Sequence, residues 1–224
     1  KQIEQLLEVV VSGVVPEDVE RGPLSLLAEE VRSFACRDTR VAAFGGGTGL
    51  STVVGGNSQL ADWPAEPFIG LKQEFPLLDV VVCTTDDGGS TGLLLQQLPV
   101  IGIGDLRKLL LSLVLRDDLC AAYSLDDDGV MRLIRLIHGI FNHRFPAECD
   151  DFSGVSNPLS VVSKELQRAC PEPLAQFLGS LGRCVSPGGD GPLIKPGGHC
   201  LGNLLLLAAF FRESACSGDE PPSL

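Results

Sequence analysis

The chain has 224 residues, 44% of them hydrophobic and 5% aromatic, with a formal net charge of −12 at pH 7. That length supports one core of its own, built mainly from Leu and Val. The charge excludes a broad nucleic-acid or anionic-membrane surface, which needs clustered Lys and Arg; a small anion stays within reach, because backbone N–H groups and one or two cations bind it locally.

Residues 1–38 read as a helical N-terminal segment. Ile3, Leu6, Leu7 and Val10 fall at helical spacing, and a second helix over about 24–35 carries Leu24, Leu27, Ala28 and Val31 on one face. The first clear strand, 41–44, runs into "FGGGTGLS" and a short helix that Gly55 and Gly56 end. Trp63, Pro64 and Pro67 mark a loop. The run "DVVVCTT" (79–85) is continuous and β-branched, as in strands buried on both faces of a parallel sheet, and it ends in "DDGGSTG" (86–92). "GIGDLRKLLLSLVL" (102–115) reads as a loop entering a helix with Asp105 in N-cap position, and a further helix covers 129–141.

Residues 146–198 are less regular, with helices expected at 158–169 and 173–181 and a flexible tract at 186–199. The final helix runs to about 211, and the residues after it look frayed. Strands alternating with helices indicate an α/β fold over residues 39–224. Two firm strands are few for a sheet, so the sheet is expected to be incomplete at its C-terminus.

The eight cysteines (Cys36, Cys83, Cys120, Cys149, Cys170, Cys184, Cys200, Cys216) are scattered, without a C-x-x-C pair or zinc spacing. They read as reduced structural thiols of an intracellular protein. No run reaches the ~18 apolar residues of a membrane span, and no signal peptide is visible. A cytoplasmic location is expected. Because the sequence starts at Lys1 rather than Met, the alternative is a plastid protein whose transit peptide has been removed.

Four stretches carry candidate chemistry. The loop Gly45, Gly46, Gly47, Thr48, Gly49 follows a strand and opens a helix, the arrangement that offers bare backbone and a positive dipole end to an anion. It is not a P-loop, since no lysine lies between Arg40 and Lys72. It is not a G-x-G-x-x-G fingerprint either, since the third glycine would fall at Leu50 or Thr52. A tight turn without a ligand is the bland alternative, but three consecutive glycines cost more chain entropy than a turn requires.

In the second stretch, Asp86 and Asp87 sit beyond a strand end, where open α/β sheets present ligand groups, followed by Gly88, Gly89 and Ser90. Adjacent carboxylates suit Mg²⁺ or a sugar hydroxyl, although D-D-G-G is also a common turn. The third stretch is "GDLRK" (104–108). Arg107 in a first helical turn opposes the dipole, which an anionic partner would explain and a plain surface arginine would not need. The fourth is "GGHCLGN" (197–203), whose His199 and Asn203 share one face as a helix begins, as ligand contacts or as a buried polar pair. His138, His143 and His199 give no basis in spacing for Ser/His/Asp catalysis, and the sequence reads as containing no G-x-S-x-G nucleophile.

Taken in order, "FGGGTGLS", "TDDGGSTG", "GDLRK", "HRF" (143–145) and "GHCLGN" resemble the family of 2-phospho-L-lactate transferase (CofD) and the gluconeogenesis factor (YvcK), closer to the second branch. The resemblance covers residues 41–207. It implies a Rossmann-like parallel sheet flanked by helices that binds a nucleotide-linked small molecule, with no nucleic-acid or membrane partner. In the gluconeogenesis-factor branch the ligand is similar to a UDP-sugar and the role is regulation of carbon metabolism. In the transferase branch a phospholactyl group passes from a GDP-linked donor to a hydroxyl acceptor with Mg²⁺. Carried over, Gly45 to Gly49 would hold the diphosphate, and Asp86 and Asp87 the metal or ligand hydroxyls. Arg107 would neutralise phosphate, and His199 and Asn203 would line the pocket. Gly88, Gly89, Ser90 and Asp105 join the phosphate-binding set, and Asp86 and Asp87 are the candidates for any catalytic role. A homodimer is a further expectation. Three departures stand out. Lys108 takes the place where the family usually has Asn, which would strengthen anion binding or remove a base-reading hydrogen bond. Residues 146–198 form an insertion. The sequence ends soon after "GHCLGNLLLL", where the resemblance implies further strands, so a C-terminal truncation is expected.

Overall fold

The computed structural model describes residues 38–85 and 88–217. The N-terminal helices expected over 1–38, and the paired acids Asp86 and Asp87, therefore lie outside the described residues, apart from Asp38 in a turn.

Strands β1 (Val41–Gly45) and β2 (Leu78–Val82) pair in parallel, Val41 opposite Leu78 and Gly45 opposite Val82. Both strands therefore end at one edge of the sheet, and the two glycine loops leave from that edge side by side. Ten helices accompany the sheet among the described residues. Helix α1 (Gly47–Gly55) follows β1, α2 (Leu71–Glu74) precedes β2, and α3 (Gly89–Leu95) follows it. The rest are α4 (Gly104–Ser112), α5 (Arg116–Tyr123), α6 (Asp127–Asn142), α7 (Ser153–Ser156), α8 (Lys164–Arg168), α9 (Glu172–Cys184) and α10 (Leu201–Ser217). Short 3₁₀ turns occupy Trp63–Ala65 and Pro158–Val161.

Helices α1 and α4 cover one face of the sheet. Leu50, Val54 and Leu109 are buried there against Ala43, Leu78, Val80 and Val82. The opposite face presents Phe44 and Val81, which are 73% and 50% exposed. So β2 alternates rather than being buried on both faces as its β-branched run predicts. Its pairing also ends at Val82, where β1 gives way to the glycine loop, although the Cys83 N–H still donates to the Gly45 carbonyl at 2.7 Å.

The larger core is helical. Helix α6 forms where Asp126 accepts a capping bond from the Gly129 N–H at 2.8 Å, and Asp127 and Asp128 sit in the first turn, where the dipole favours them. Val130, Leu133, Ile134, Leu136 and Ile140 bury its apolar side, each contributing about 1.5–3 kcal/mol relative to exposure. Against them packs α10, with Leu201, Leu204, Leu205 and Leu207. The frayed end expected after 211 is instead helical to Ser217. Helix α5, with three charges in its first turn, small residues after them and no buried side chain, gives little periodic signal and is absent from the expectation.

Residues 146–198 are built into this core. Val155, Leu178, Leu181, Val185 and Ile194 join the cluster of α6 and α10. The helix expected at 158–169 is broken in two, a 3₁₀ turn and then α8, because Val162 is extended and Ser163 caps the new start by accepting from the Leu166 N–H. The tract 186–199 has no regular structure but is tied down. The Gly191 N–H donates to the Cys184 carbonyl and the Gly198 N–H to the Pro146 carbonyl, while Ile194 is buried. Cys83, Cys120, Cys149, Cys170, Cys184 and Cys200 are free thiols.

Lys72 is buried between α2 and the end of α4. Its ammonium donates to the carbonyls of Pro67 at 2.7 Å and Val114 at 2.8 Å, and to that of Ser112. Burial pushes it down from 10.5 to about 8. Between those values the unfolded chain holds a proton that the folded chain releases, so stability rises with pH across that window. The three carbonyls favour the charged form, which limits the rise to at most about 3 kcal/mol. In urea denaturation, Lys72→Met is expected to flatten this rise between pH 8 and 10.5 relative to the unsubstituted protein. An unchanged pH profile would contradict it.

Candidate functional site

The glycine loop sits where the strand ends predict. Gly46 is the residue before α1 and is extended, with φ −149° and ψ 175°, so its need for glycine is steric. A Cβ there would lie 2.8 Å from the Cys83 Cβ and 3.2 Å from Asp105 Oδ2. Gly47 needs glycine for the other reason, a φ of +64°. Gly45, Gly46 and Gly49 are exposed, leaving bare backbone at the sheet edge. The Thr48 hydroxyl donates to Gln59 Oε1 at 3.1 Å.

Asp105 is not an N-cap. Helix α4 begins at Gly104 after Ile103, and Asp105 lies in its first turn, nearly buried. Its Oδ2 accepts from the Gly47 N–H at the start of α1, and its Oδ1 accepts from Lys108 Nζ at 2.8 Å. One carboxylate thus stands at the positive ends of two helices, with a lysine on its far oxygen.

Arg107 is buried, at 3% exposure, and makes a fork of bonds to uncharged acceptors. Nε donates to Asn203 Oδ1 at 2.9 Å; one terminal nitrogen donates to the Phe141 carbonyl at 3.0 Å and to Asn142 Oδ1. Burial lowers its pKa below the ordinary arginine range; Cys200 and Asp105 offset part of that effect, and the charge of Arg144 adds to it. The arginine is thus neither a surface residue nor, in this structure, placed against an anion.

Because Arg107 only donates, Asn203 must turn Oδ1 toward it and Nδ2 away. Nδ2 then donates to Ser90 Oγ at 3.2 Å, and the Cys200 N–H donates to the same oxygen at 3.0 Å. That leaves the Ser90 hydroxyl hydrogen for His199 Nδ1, 3.4 Å away. Burial pushes His199 below its ordinary value of 6.5, a backbone bond at Ser90 opposes this, and the charge of Arg144 adds to it. The imidazole is therefore neutral at pH 7. Residues 88–92, Gly-Gly-Ser-Thr-Gly, do have G-x-S-x-G spacing, which the sequence reading passed over. Ser90 is nevertheless buried and receives two donors, the state of a positioning hydroxyl rather than an exposed nucleophile.

The motifs "HRF" and "GHCLGN" belong together. Arg144 and Cys200 form an antiparallel bridge; the Phe145 N–H donates to the His199 carbonyl at 3.0 Å and the Leu201 N–H to the His143 carbonyl at 2.8 Å. Gly202 lets this corner close, since a Cβ would lie 2.5 Å from the Phe141 carbonyl oxygen and 2.7 Å from Arg107 Cδ.

Asp105, Arg107, Asn203, Ser90 and His199 thus form a contiguous structure beneath the two loops, while Gly88 and Gly89 are exposed above it. Sequence reasoning missed Asn142 and Cys83 as participants and noted Lys108 only as a departure from the family pattern. The signal for Asn142 was a buried arginine's need for acceptors. Among the described residues no three His, Cys, Asp or Glu side chains cluster as a metal site. The acids assigned to Mg²⁺, Asp86 and Asp87, lie outside the described residues. No helix among the described residues is long and apolar enough to cross a membrane.

Comparison with known proteins accords with this arrangement. The profile of the family described as 2-phospho-L-lactate transferase CofD matches residues 41–215. The chain belongs to that family, whose fold is Rossmann-like. Two curated relatives are each named "putative gluconeogenesis factor". One, from Clostridium acetobutylicum, is 28% identical over 111 residues, 50% of this chain and 21% of its own length. The other, from a Nostoc species, is 34% identical over 139 residues, 59% of this chain and 24% of its own length. The chain thus spans about a quarter of the length of these relatives. No solved structure matches it.

Proposed function

We propose that the chain binds a nucleotide-linked phosphate ligand of the UDP-sugar type and acts as a gluconeogenesis-factor-type regulator of carbon metabolism. The observation that carries this reading is the exposed glycine backbone at Gly45, Gly46 and Gly49, which leaves the same end of the sheet as the Gly88–Gly89 loop. Backbone N–H groups at such an end favour a diphosphate without any side-chain cation in the loop. The relatives' names support the regulatory role.

The test is calorimetric titration with UDP-N-acetylglucosamine, GDP and NADP, each with and without Mg²⁺. Saturable binding of the uridine ligand is expected, with a thermal stabilisation equivalent to about 2.7 kcal/mol at 100 times Kd. Gly46→Ala is expected to weaken it at least about tenfold, because the new methyl collides with Cys83 and displaces the loop. Absence of saturable binding would sink the reading. The family's description supports a second reading, a Mg²⁺-dependent phospholactyl transferase acting on a GDP-linked donor. Binding of guanosine but not uridine ligands, with release of a nucleoside monophosphate when a hydroxyl acceptor is supplied, would favour it.

A further inference from the structure

The glycine loop already holds an anion. Its Gly47 N–H, one of the unpaired amides at the start of α1, is taken by the carboxylate of Asp105, which arrives from α4 across 58 residues of sequence. The second oxygen of that carboxylate carries Lys108 at 2.8 Å, and both side chains are largely buried, 9% and 15% exposed. A carboxylate bridging a loop amide and a lysine occupies the place and the charge relations of a bound phosphate oxygen. The loop itself contributes no cation, since no lysine lies between Arg40 and Lys72, and Arg107 is committed to Asn203, Phe141 and Asn142.

We propose that Lys108 is the phosphate-reading cation of this site and that Asp105 is a displaceable internal stand-in for the ligand's phosphate. The inference rests on the nucleotide-phosphate reading above and deepens it. When a diphosphate arrives, its oxygen accepts from the Gly47 N–H in place of Asp105 Oδ2. The Lys108 ammonium exchanges the carboxylate for the phosphate, and Asp105 turns aside within the first turn of α4, where the dipole still favours its charge. This exchange makes the site select charge. A group with two or more negative charges competes against one carboxylate, whereas a neutral sugar or nucleoside gains nothing from the exchange. Lys108 also explains how a backbone-only loop in a chain of net charge −12 attracts an anion at all.

The test measures binding of inorganic pyrophosphate and of UDP to the full chain and to Lys108→Met, Lys108→Arg and Asp105→Asn. Circular dichroism verifies each fold. Lys108→Met is expected to weaken both ligands about tenfold or more, the loss of one charge-assisted hydrogen bond. Lys108→Arg is expected to retain binding, and Asp105→Asn to tighten pyrophosphate, because the competing charge is gone while the amide oxygen still accepts from Gly47. Unchanged affinity in Lys108→Met, or weaker binding in Asp105→Asn, overturns the proposal while leaving the nucleotide reading intact. If neither ligand binds the unsubstituted chain or Asp105→Asn, both fall. If only Asp105→Asn binds, the ligand does not displace Asp105 and the proposal is overturned.

Discussion

Arg107→Ala is expected to cost about 3 kcal/mol or more of folding stability, from three stranded acceptors, read as a lower urea midpoint with an unchanged slope. The guanidinium satisfies Asn203 Oδ1, the Phe141 carbonyl and Asn142 Oδ1 in a nearly closed environment. Removing it strands these acceptors, each at about 1–3 kcal/mol where no water reaches. The loss spreads, because Asn203 is oriented by Arg107 and in turn donates to Ser90. Arg107→Lys is expected to recover little, since a single ammonium on a flexible stem cannot reproduce a planar fork across two helices. Loss of less than about 1 kcal/mol in Arg107→Ala would mean that these bonds are replaced by water and that the side chain is free to face a ligand.

The second large effect lies at the back of the loop helix. Gly55→Ala places a Cβ 1.8 Å from the Ser112 carbonyl oxygen and 2.8 Å from Lys72 Nζ. The Ser112 carbonyl is backbone at the end of α4 and is itself held by Lys72, so neither neighbour can yield cheaply. The Gly55 carbonyl also accepts from Trp63 Nε1 at 2.8 Å, fixing the glycine from its other side. Overpacking of this kind costs about 1–3 kcal/mol and occasionally more, and the upper end is expected here. Thermal denaturation checks it. A melting temperature within experimental error of the unsubstituted protein would show that α1 and α4 separate without penalty.

Local signals were legible in the sequence. The apolar run at 41–44, the three glycines and the helix after them are properties of neighbouring residues, and β1 and α1 stand where those signals put them. Signals that depend on distant partners were not. Asp105 has the composition of an N-cap, but a tertiary partner 58 residues away takes its carboxylate instead. The position of Arg107 against the helix dipole suggested an external anion. The fold supplies carbonyl and amide oxygens from residues 34 to 96 positions further along the chain. Residues 146–198 read as an irregular insertion because their apolar residues are spaced among turns. Only the packing of Val155, Leu178 and Ile194 against α6 and α10 reveals them as core.

The arrangement around Ser90 carries a consequence for how the protein reaches its native state. Ser90 is joined to His199, Cys200 and Asn203 across 109, 110 and 113 residues, and Arg107 to Asn203 across 96. Each closure costs loop entropy before it returns any stabilisation, and contacts of such separation slow folding. The two ends of each bond meet only after the long segment between them has collapsed, so these bonds form late. Competence of the site is therefore a reporter of the whole folded unit. A chaperone-bound or half-synthesised chain presents the glycine loop without the apparatus beneath it.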